Sequence, residues 1–196
     1  MAQKIGLYFG SFNPIHIGHL AIANYMVEFS DLDKIWFIIT PHNPLKTKAS
    51  LLSNEHRYYM AQLAVEDDAR FFASNIEFHL PQPNYTIHTL THLEERYPGK
   101  HFVLIMGADN LKHFHKWKNH DVILERYEIM VYPRPHITID TTPYANGNIT
   151  IVDAPQMEIS ASFIRQSIAD GKDIRHFLPE KVFRHIDEMN FYKKHT

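Results

Sequence analysis

Phe9-Gly10-Ser11-Phe12-Asn13-Pro14-Ile15-His16-Ile17-Gly18-His19 is the stretch on which the reading of the fold turns. It follows a short apolar run, Ile5-Gly6-Leu7-Tyr8-Phe9, that reads as a buried strand, and it opens into residues 20–27, whose spacing predicts an amphipathic helix. Glycines at a strand-to-helix turn let backbone N–H groups approach a phosphate closely, and the helix N-terminus favours its negative charge. Asn13 suits a helix cap and Pro14 the first turn. His16 and His19, three residues apart, share one face of that first turn. The turn fits neither G-x-x-x-x-G-K-[ST] nor G-x-G-x-x-G. Taken alone, such a histidine pair reads as two polar residues at a helix start. As a metal pair it lacks an acidic or thiol companion. Beside a phosphate cradle, it reads as a site for moving a phosphate-bearing group.

Working outward, strands and helices alternate. Lys34 to Thr40 is a strongly apolar strand candidate, followed by the Pro-rich stretch Pro41-His42-Asn43-Pro44-Leu45-Lys46. Ser53 caps an expected helix to about Asp67, with Met60, Leu63 and Ala64 inward. Residues 71–78 read as a strand, and Pro81 and Pro83 exclude a helix interior. Thr86 starts a helix with Leu90, Leu93 and Tyr97 on its repeat, ended by Pro98-Gly99. Residues 101–106 form a buried strand that stops at Gly107; a helical stretch is expected over 117–124 and a strand over 128–132. Residues 136–148 read as a surface excursion and 148–152 as a last strand. Ser160 caps a helix closed by Gly171, and Pro179 opens a final helix through Val182, Phe183 and Ile186. Near-continuous apolar strands separated by helices imply an α/β fold, a mainly parallel, doubly wound sheet with helices on both faces. One domain over residues 1–196 is expected, with a small helical C-terminal part from about 160. Ligands bind such sheets at the carboxyl ends of the strands, which puts 9–19, 40–46 and 107–109 on one rim.

Composition narrows the function. The chain has 196 residues, 44% hydrophobic and 21% charged, enough for a sizeable core. A net charge of −2 argues against a nucleic-acid partner. No apolar run approaches the ~18 residues of a membrane span. With zero cysteines there are no disulfides, and no signal-peptide pattern precedes the first strand, so a cytoplasmic location is expected. The 15 histidines are many. Most are scattered, and even His113, His115 and His120, near Trp117, lack carboxylates at ligand spacing, so no metal ligands are assigned.

The second informative element is Ile159-Ser160-Ala161-Ser162-Phe163-Ile164-Arg165. Read plainly, Ser160 is an N-cap ahead of a buried face. Read for chemistry, a second helix N-terminus offers N–H groups, hydroxyls and an Arg fork to phosphate oxygens. Together the two elements resemble the paired signatures of the nucleotidylyltransferase α/β-phosphodiesterase superfamily, G-[ST]-F-[DN]-P-x-H-x-G-H and I-S-S-[ST]-x-I-R. Phe9 stands where many members have a further glycine, and Ala161 replaces a usual serine. The resemblance implies a Rossmann-like sheet and transfer of a nucleotide to a phosphate with loss of pyrophosphate.

The middle of the chain resembles the bacterial nicotinate-mononucleotide adenylyltransferases. It does so at residues 41–46, at Asn84-Tyr85-Thr86-Ile87-His88-Thr89-Leu90, at Gly107-Ala108-Asp109-Asn110, at Trp117, and at Tyr132-Pro133-Arg134-Pro135. This resemblance implies catalytic roles for His16, His19, Lys46 and Arg165. It implies ATP contacts at Gly10, Ser11, Phe12, Gly18, Gly107, Asp109, Ile159, Ser160 and Ser162. It implies nicotinate-nucleotide contacts at Asn13, Asn43, Tyr85, Thr86, Trp117 and Arg134. Trp117 would stack on the cationic pyridinium ring, and the helix start at Thr86 would hold the carboxylate. Asp109 would bond the adenosine ribose. Mg²⁺ would arrive with ATP. The same chemistry on nicotinamide mononucleotide, or a non-catalytic nucleotide-binding regulator, are the alternatives. The sequence leaves the oligomeric state open, a homo-oligomer included.

Overall fold

A computed structural model describes residues 2–41 and 51–194. Six strands form one parallel sheet: β1 (Gln3–Gly10), β2 (Lys34–Ile39), β3 (Phe71–Ser74), β4 (Lys100–Gly107), β5 (Glu128–Tyr132) and β6 (Ile149–Ile151). Their order is β3-β2-β1-β4-β5-β6. The chain winds outward from β1 to β3, crosses back, and winds the other way from β4. The loops leaving β1 and β4 therefore diverge and open a crevice at the carboxyl ends of these strands. The doubly wound α/β fold expected from the apolar strand runs is the fold observed.

Strand alternation divides the core into two layers. Tyr8, Phe37, Val103, Ile105, Met130 and Tyr132 face α1 (Ile17–Phe29), α2 (Asn54–Val65) and the C-terminal helices. Ile5, Leu7, Leu104, Ile129 and Val131 face α3 (Thr86–Arg96), α4 (Ala108–Leu111) and α5 (His120–Arg126). α6 (Ala161–Ala169) and α7 (Glu180–Glu188) complete the first layer through Ile164, Val182 and Ile186.

Three expectations are corrected, and a fourth, the surface excursion, holds with one anchor added. The strand over 71–78 ends at Ser74, whose Oγ accepts the Ile76 N–H (3.3 Å) and turns the chain into a 3-10 turn, Ile76–His79. The inner face of α2 is Arg57, Met60, Ala61 and Val65; Leu63 and Ala64 are only partly buried. The helix over 117–124 is instead a 3-10 turn, Phe114–Lys116, then a left-handed Asn119 (φ 51°), then α5. The excursion 136–148 is anchored by buried Tyr144, whose hydroxyl donates to the Leu111 carbonyl (3.2 Å) and accepts the His115 N–H (3.1 Å).

Candidate active site at the β1–β4 crevice

The loop after β1 is pulled inward by its aromatic residue. Phe12 is buried, in a left-handed conformation (φ 43°), with its ring edge-on to Tyr8, Phe37 and His19. α1 therefore begins later than Asn13 and Pro14 suggested, and His16 is its N-cap. Asn13 cannot serve as that cap, because its Oδ1 accepts the Tyr192 hydroxyl (2.7 Å) and the Leu52 N–H (3.3 Å). His16 donates its backbone N–H to His19 Nδ1 (3.2 Å). A neutral imidazole that accepts at Nδ1 carries its hydrogen on Nε2, so His19 offers a donor. The two rings stack with centroids 3.7 Å apart. A Cβ at Gly18 would lie 3.1 Å from His16 Nδ1, so glycine lets the imidazole fold over the helix start. Burial pushes the His16 imidazole down to about 4, helped by nearby Arg134. His19 is held well below the ordinary range by burial, then by His16 and Arg134. Both imidazoles are thus neutral near pH 7 in the free protein.

Residues from the other end of the chain close this loop. Ser160 caps α6 by accepting the Phe163 N–H (3.1 Å). Arg165, on the next turn, donates from Nη1 to the Asn13 carbonyl (2.8 Å) and from Nη2 to Ser162 Oγ (3.2 Å). The two sequence elements, 152 residues apart at this contact, meet directly. Between them lies a cavity of about 180 Å³ whose lining includes His16, His19, Arg134, Ile159 and Ser160. It adjoins a more open cleft of about 500 Å³ lined by Asp109 and His136 and sharing Arg134, Ile159 and Ser160. Asp109 lies in the first turn of α4, whose cap is Gly107, with Oδ1 3.4 Å from Arg134 Nε.

Arg57 fixes the floor of the loop, and sequence reasoning did not single it out. It is fully buried and donates to the carbonyls of Ser11, Thr40 (2.9 Å) and Leu52 (3.1 Å) and to Asn54 Oδ1 (2.6 Å). It thereby ties the β1 and β2 exits together, alongside the Thr40 N–H to Gly10 carbonyl bond (2.9 Å). The available signal was its place on the Met60–Ala61 side of α2, a charge on an apolar row. Buried Tyr8 and Tyr132 also line the smaller cavity, their hydroxyls 3.1 Å apart.

The other candidate residues lie at a more exposed place. Tyr85 caps α3 and Thr86 is its first residue. Trp117 is half-buried against Phe114 (5.5 Å). Lys118 carries its ammonium 4.4 Å from the Tyr85 ring centroid, so the 117–118 segment and the start of α3 converge. Below α3, the buried Glu77 accepts the Thr89 hydroxyl (2.7 Å), and the Glu77 carbonyl accepts from Asn84 Nδ2 (3.1 Å). Burial raises the Glu77 carboxyl to about 7, against the lowering effect of Thr89. Arg134 lines the histidine cavity rather than this side. Asn43 and Lys46 lie outside the described residues. Among the described residues, no group of three or more His, Cys, Asp or Glu is arranged to hold a metal ion, and no helix is long and apolar enough to cross a membrane.

The chain matches known proteins over nearly its whole length. The family model described as cytidylyltransferase-like matches residues 7–167. A protein of Flavobacterium johnsoniae named "Probable nicotinate-nucleotide adenylyltransferase" is 55% identical, covering 98% of this chain and 100% of the relative. One of the same name from Christiangramia forsetii is 56% identical with the same coverage. Among solved structures, Plasmodium falciparum nicotinic acid mononucleotide adenylyltransferase complexed with NaAD superposes with a TM-score of 0.82. That likeness, at 20% identity over 97% of each chain, shows the shared fold. With the Arg165–Asn13 bond joining its two signature elements, the chain belongs to the cytidylyltransferase-like family and, within it, to the family of the nicotinate-nucleotide adenylyltransferases.

Proposed function

We propose that the protein transfers the adenylyl group of ATP to nicotinate mononucleotide, giving deamido-NAD and pyrophosphate in NAD biosynthesis. One observation carries the reading: Arg165 of α6 bonds the loop that presents His16 and His19, so both phosphate-facing elements surround one cavity. The names of the relatives support the choice of acceptor.

In this reading the acceptor 5′-phosphate oxygen attacks the α-phosphorus in line. The new P–O bond forms as the bond to the bridging oxygen breaks, and pyrophosphate leaves. The attacking phosphate is already an anion at pH 7, so no protein base is required, and catalysis is positioning plus charge stabilisation. His19 Nε2–H and His16 donate to phosphoryl oxygens. Their neutrality in the free protein avoids two stacked like charges, and an arriving polyanion favours their protonation. Arg165 uses two of its five donors on Asn13 and Ser162, and the remaining fork, with Arg134 and Lys46, compensates the leaving pyrophosphate. Mg²⁺ carried by the triphosphate would supply further charge neutralisation, with no protein ligand assigned to it. The adenosine occupies the cleft beside Asp109, and the pyridine ring lies against Trp117 with its carboxylate at the Tyr85–Thr86 helix start.

A pyrophosphate-release assay with ATP and either nicotinate or nicotinamide mononucleotide tests the reading. Turnover with a higher kcat/KM for the nicotinate nucleotide is expected. Preference for the amide would reverse the substrate assignment, and no turnover with either would leave a binding protein.

A further inference from the structure

Tyr8 and Tyr132 supply a group that the mechanism above does not use. Both are at least nine-tenths buried, both line the cavity of His16 and His19, and their hydroxyl oxygens are 3.1 Å apart. Two phenols carry two hydrogens, and the bond between them consumes one. The second hydrogen has no acceptor among the described residues. A buried donor left without an acceptor is costly, about 1–3 kcal/mol, so this position is built for one that arrives with a ligand. With Tyr8 donating, the unused hydrogen belongs to Tyr132.

The surroundings agree. A Cβ on Gly107 would lie 3.2 Å from the Tyr132 hydroxyl oxygen and 3.1 Å from the ring carbon bearing it, so glycine at the end of β4 makes room for this phenol. Arg134 lies 5.9 Å from the Tyr132 ring and lines the same cavity, adding positive charge. Burial also raises the Tyr132 phenol, so it keeps its hydrogen at neutral pH. A competing acceptor is Asp109 Oδ1, which also faces Gly107 but is already ion-paired with Arg134 Nε at 3.4 Å.

We propose that Tyr132, polarised by the hydroxyl of Tyr8, donates a hydrogen bond to a phosphoryl oxygen of the bound triphosphate and binds it most tightly in the transition state. The proton stays on the phenol throughout; only the acceptor's charge changes. A donor received from Tyr8 strengthens the donor passed on, as in any hydrogen-bonded chain. The proposal rests on the adenylyl-transfer reading, which wild-type turnover tests by itself.

Tyr132→Phe removes one oxygen and leaves the ring in place. In the pyrophosphate-release assay kcat is expected to fall at least tenfold, with KM for ATP and for nicotinate mononucleotide within twofold of wild type and an unchanged melting temperature. Tyr8→Phe is expected to lose only a few-fold, and the double variant to match Tyr132→Phe. A wild-type kcat in Tyr132→Phe would overturn the proposal. A change confined to the KM of ATP would also overturn it, assigning the hydrogen to Asp109 and the ribose. If Tyr132→Phe fails to fold, the tyrosine absorbance of wild type is compared with and without a non-hydrolysable ATP analogue. A difference spectrum that Tyr8→Phe diminishes supports the proposal, and no difference contradicts it.

Discussion

The histidine cavity and the Tyr85–Trp117 region, proposed above as the phosphate end and the pyridine end of the site, are made differently. At the phosphate end, side chains are drawn into the fold and bonded: Arg57 to four acceptors, the Asn13 side chain to residues 52 and 192 and its carbonyl to Arg165, and the half-buried His19 to the backbone of His16. At the pyridine end, Tyr85 is exposed, Trp117 half-buried, and a cation over a ring is the visible link. The buried end has its donors aimed before substrate arrives, which is how electrostatic stabilisation lowers a barrier. The open end has ring faces rather than fixed donors, which would suit the flat ring of the proposed acceptor. Burial also leaves opposite signatures. It keeps two bases deprotonated near α1 and one acid protonated beneath α3.

The contrast is broken most directly at His19. His19→Ala is expected to lower kcat by ~10²–10³-fold, as loss of a preorganised donor does, with KM for nicotinate mononucleotide nearly unchanged. Equal losses in kcat and in acceptor affinity, in steady-state kinetics, would erase the division between the two ends.

Glu77 tests the opposite signs. Its carboxyl is raised to about 7 from 4.5, so the folded state holds the proton more tightly. Its contribution is full below pH 4.5 and is lost as pH rises through 7. Glu77→Gln, measured by urea unfolding, should gain about 2 kcal/mol relative to wild type between pH 5 and pH 8. The same difference at both pH values would remove Glu77 as the source. His16 works the other way: its folded value near 4 lies below 6.5, so its stability is present above 6.5 and lost as pH falls through 4.

Trp117→Ala sharpens the pyridine end. A lost cation–π face of ~1–2 kcal/mol predicts about a tenfold rise in KM for the nicotinate nucleotide, partly recovered in Trp117→Phe, with kcat retained. The smallest effect is expected at Lys118. Lys118→Ala should raise that KM by about threefold at low salt and less at high salt, since an exposed charge is screened. A salt-independent effect would point to packing rather than charge.

The doubly wound parallel sheet was readable because each strand is a short apolar run separated from the next by a helix, and the two signatures because each is local; the order of the strands was not. What escaped depends on contacts distant in sequence. Asn13 looks like a cap until Tyr192 and Leu52 claim its oxygen. Residues 71–78 read as one strand, but the Ser74 hydroxyl redirects the chain, and Glu77 is buried in the turn that follows. Arg57 is not singled out because three of its four acceptors are backbone carbonyls, which carry no residue identity. Tyr8 and Tyr132 read as strand aromatics; only the adjacency of β1, β4 and β5 brings their hydroxyls together.

The bonds at Asn13 also order events during synthesis. The loop carrying His16 and His19 leaves the ribosome early, yet it receives Arg165 and Tyr192 only after nearly the whole chain has emerged. A chain halted before residue 165 holds all six strands, both histidines and the Arg57 and Leu52 bonds to the loop, but lacks the Arg165 and Tyr192 bonds to Asn13. The loop that presents the two histidines is thus completed by residues more than 150 positions further along the chain, so its final shape is a property of the whole fold and not of the local sequence.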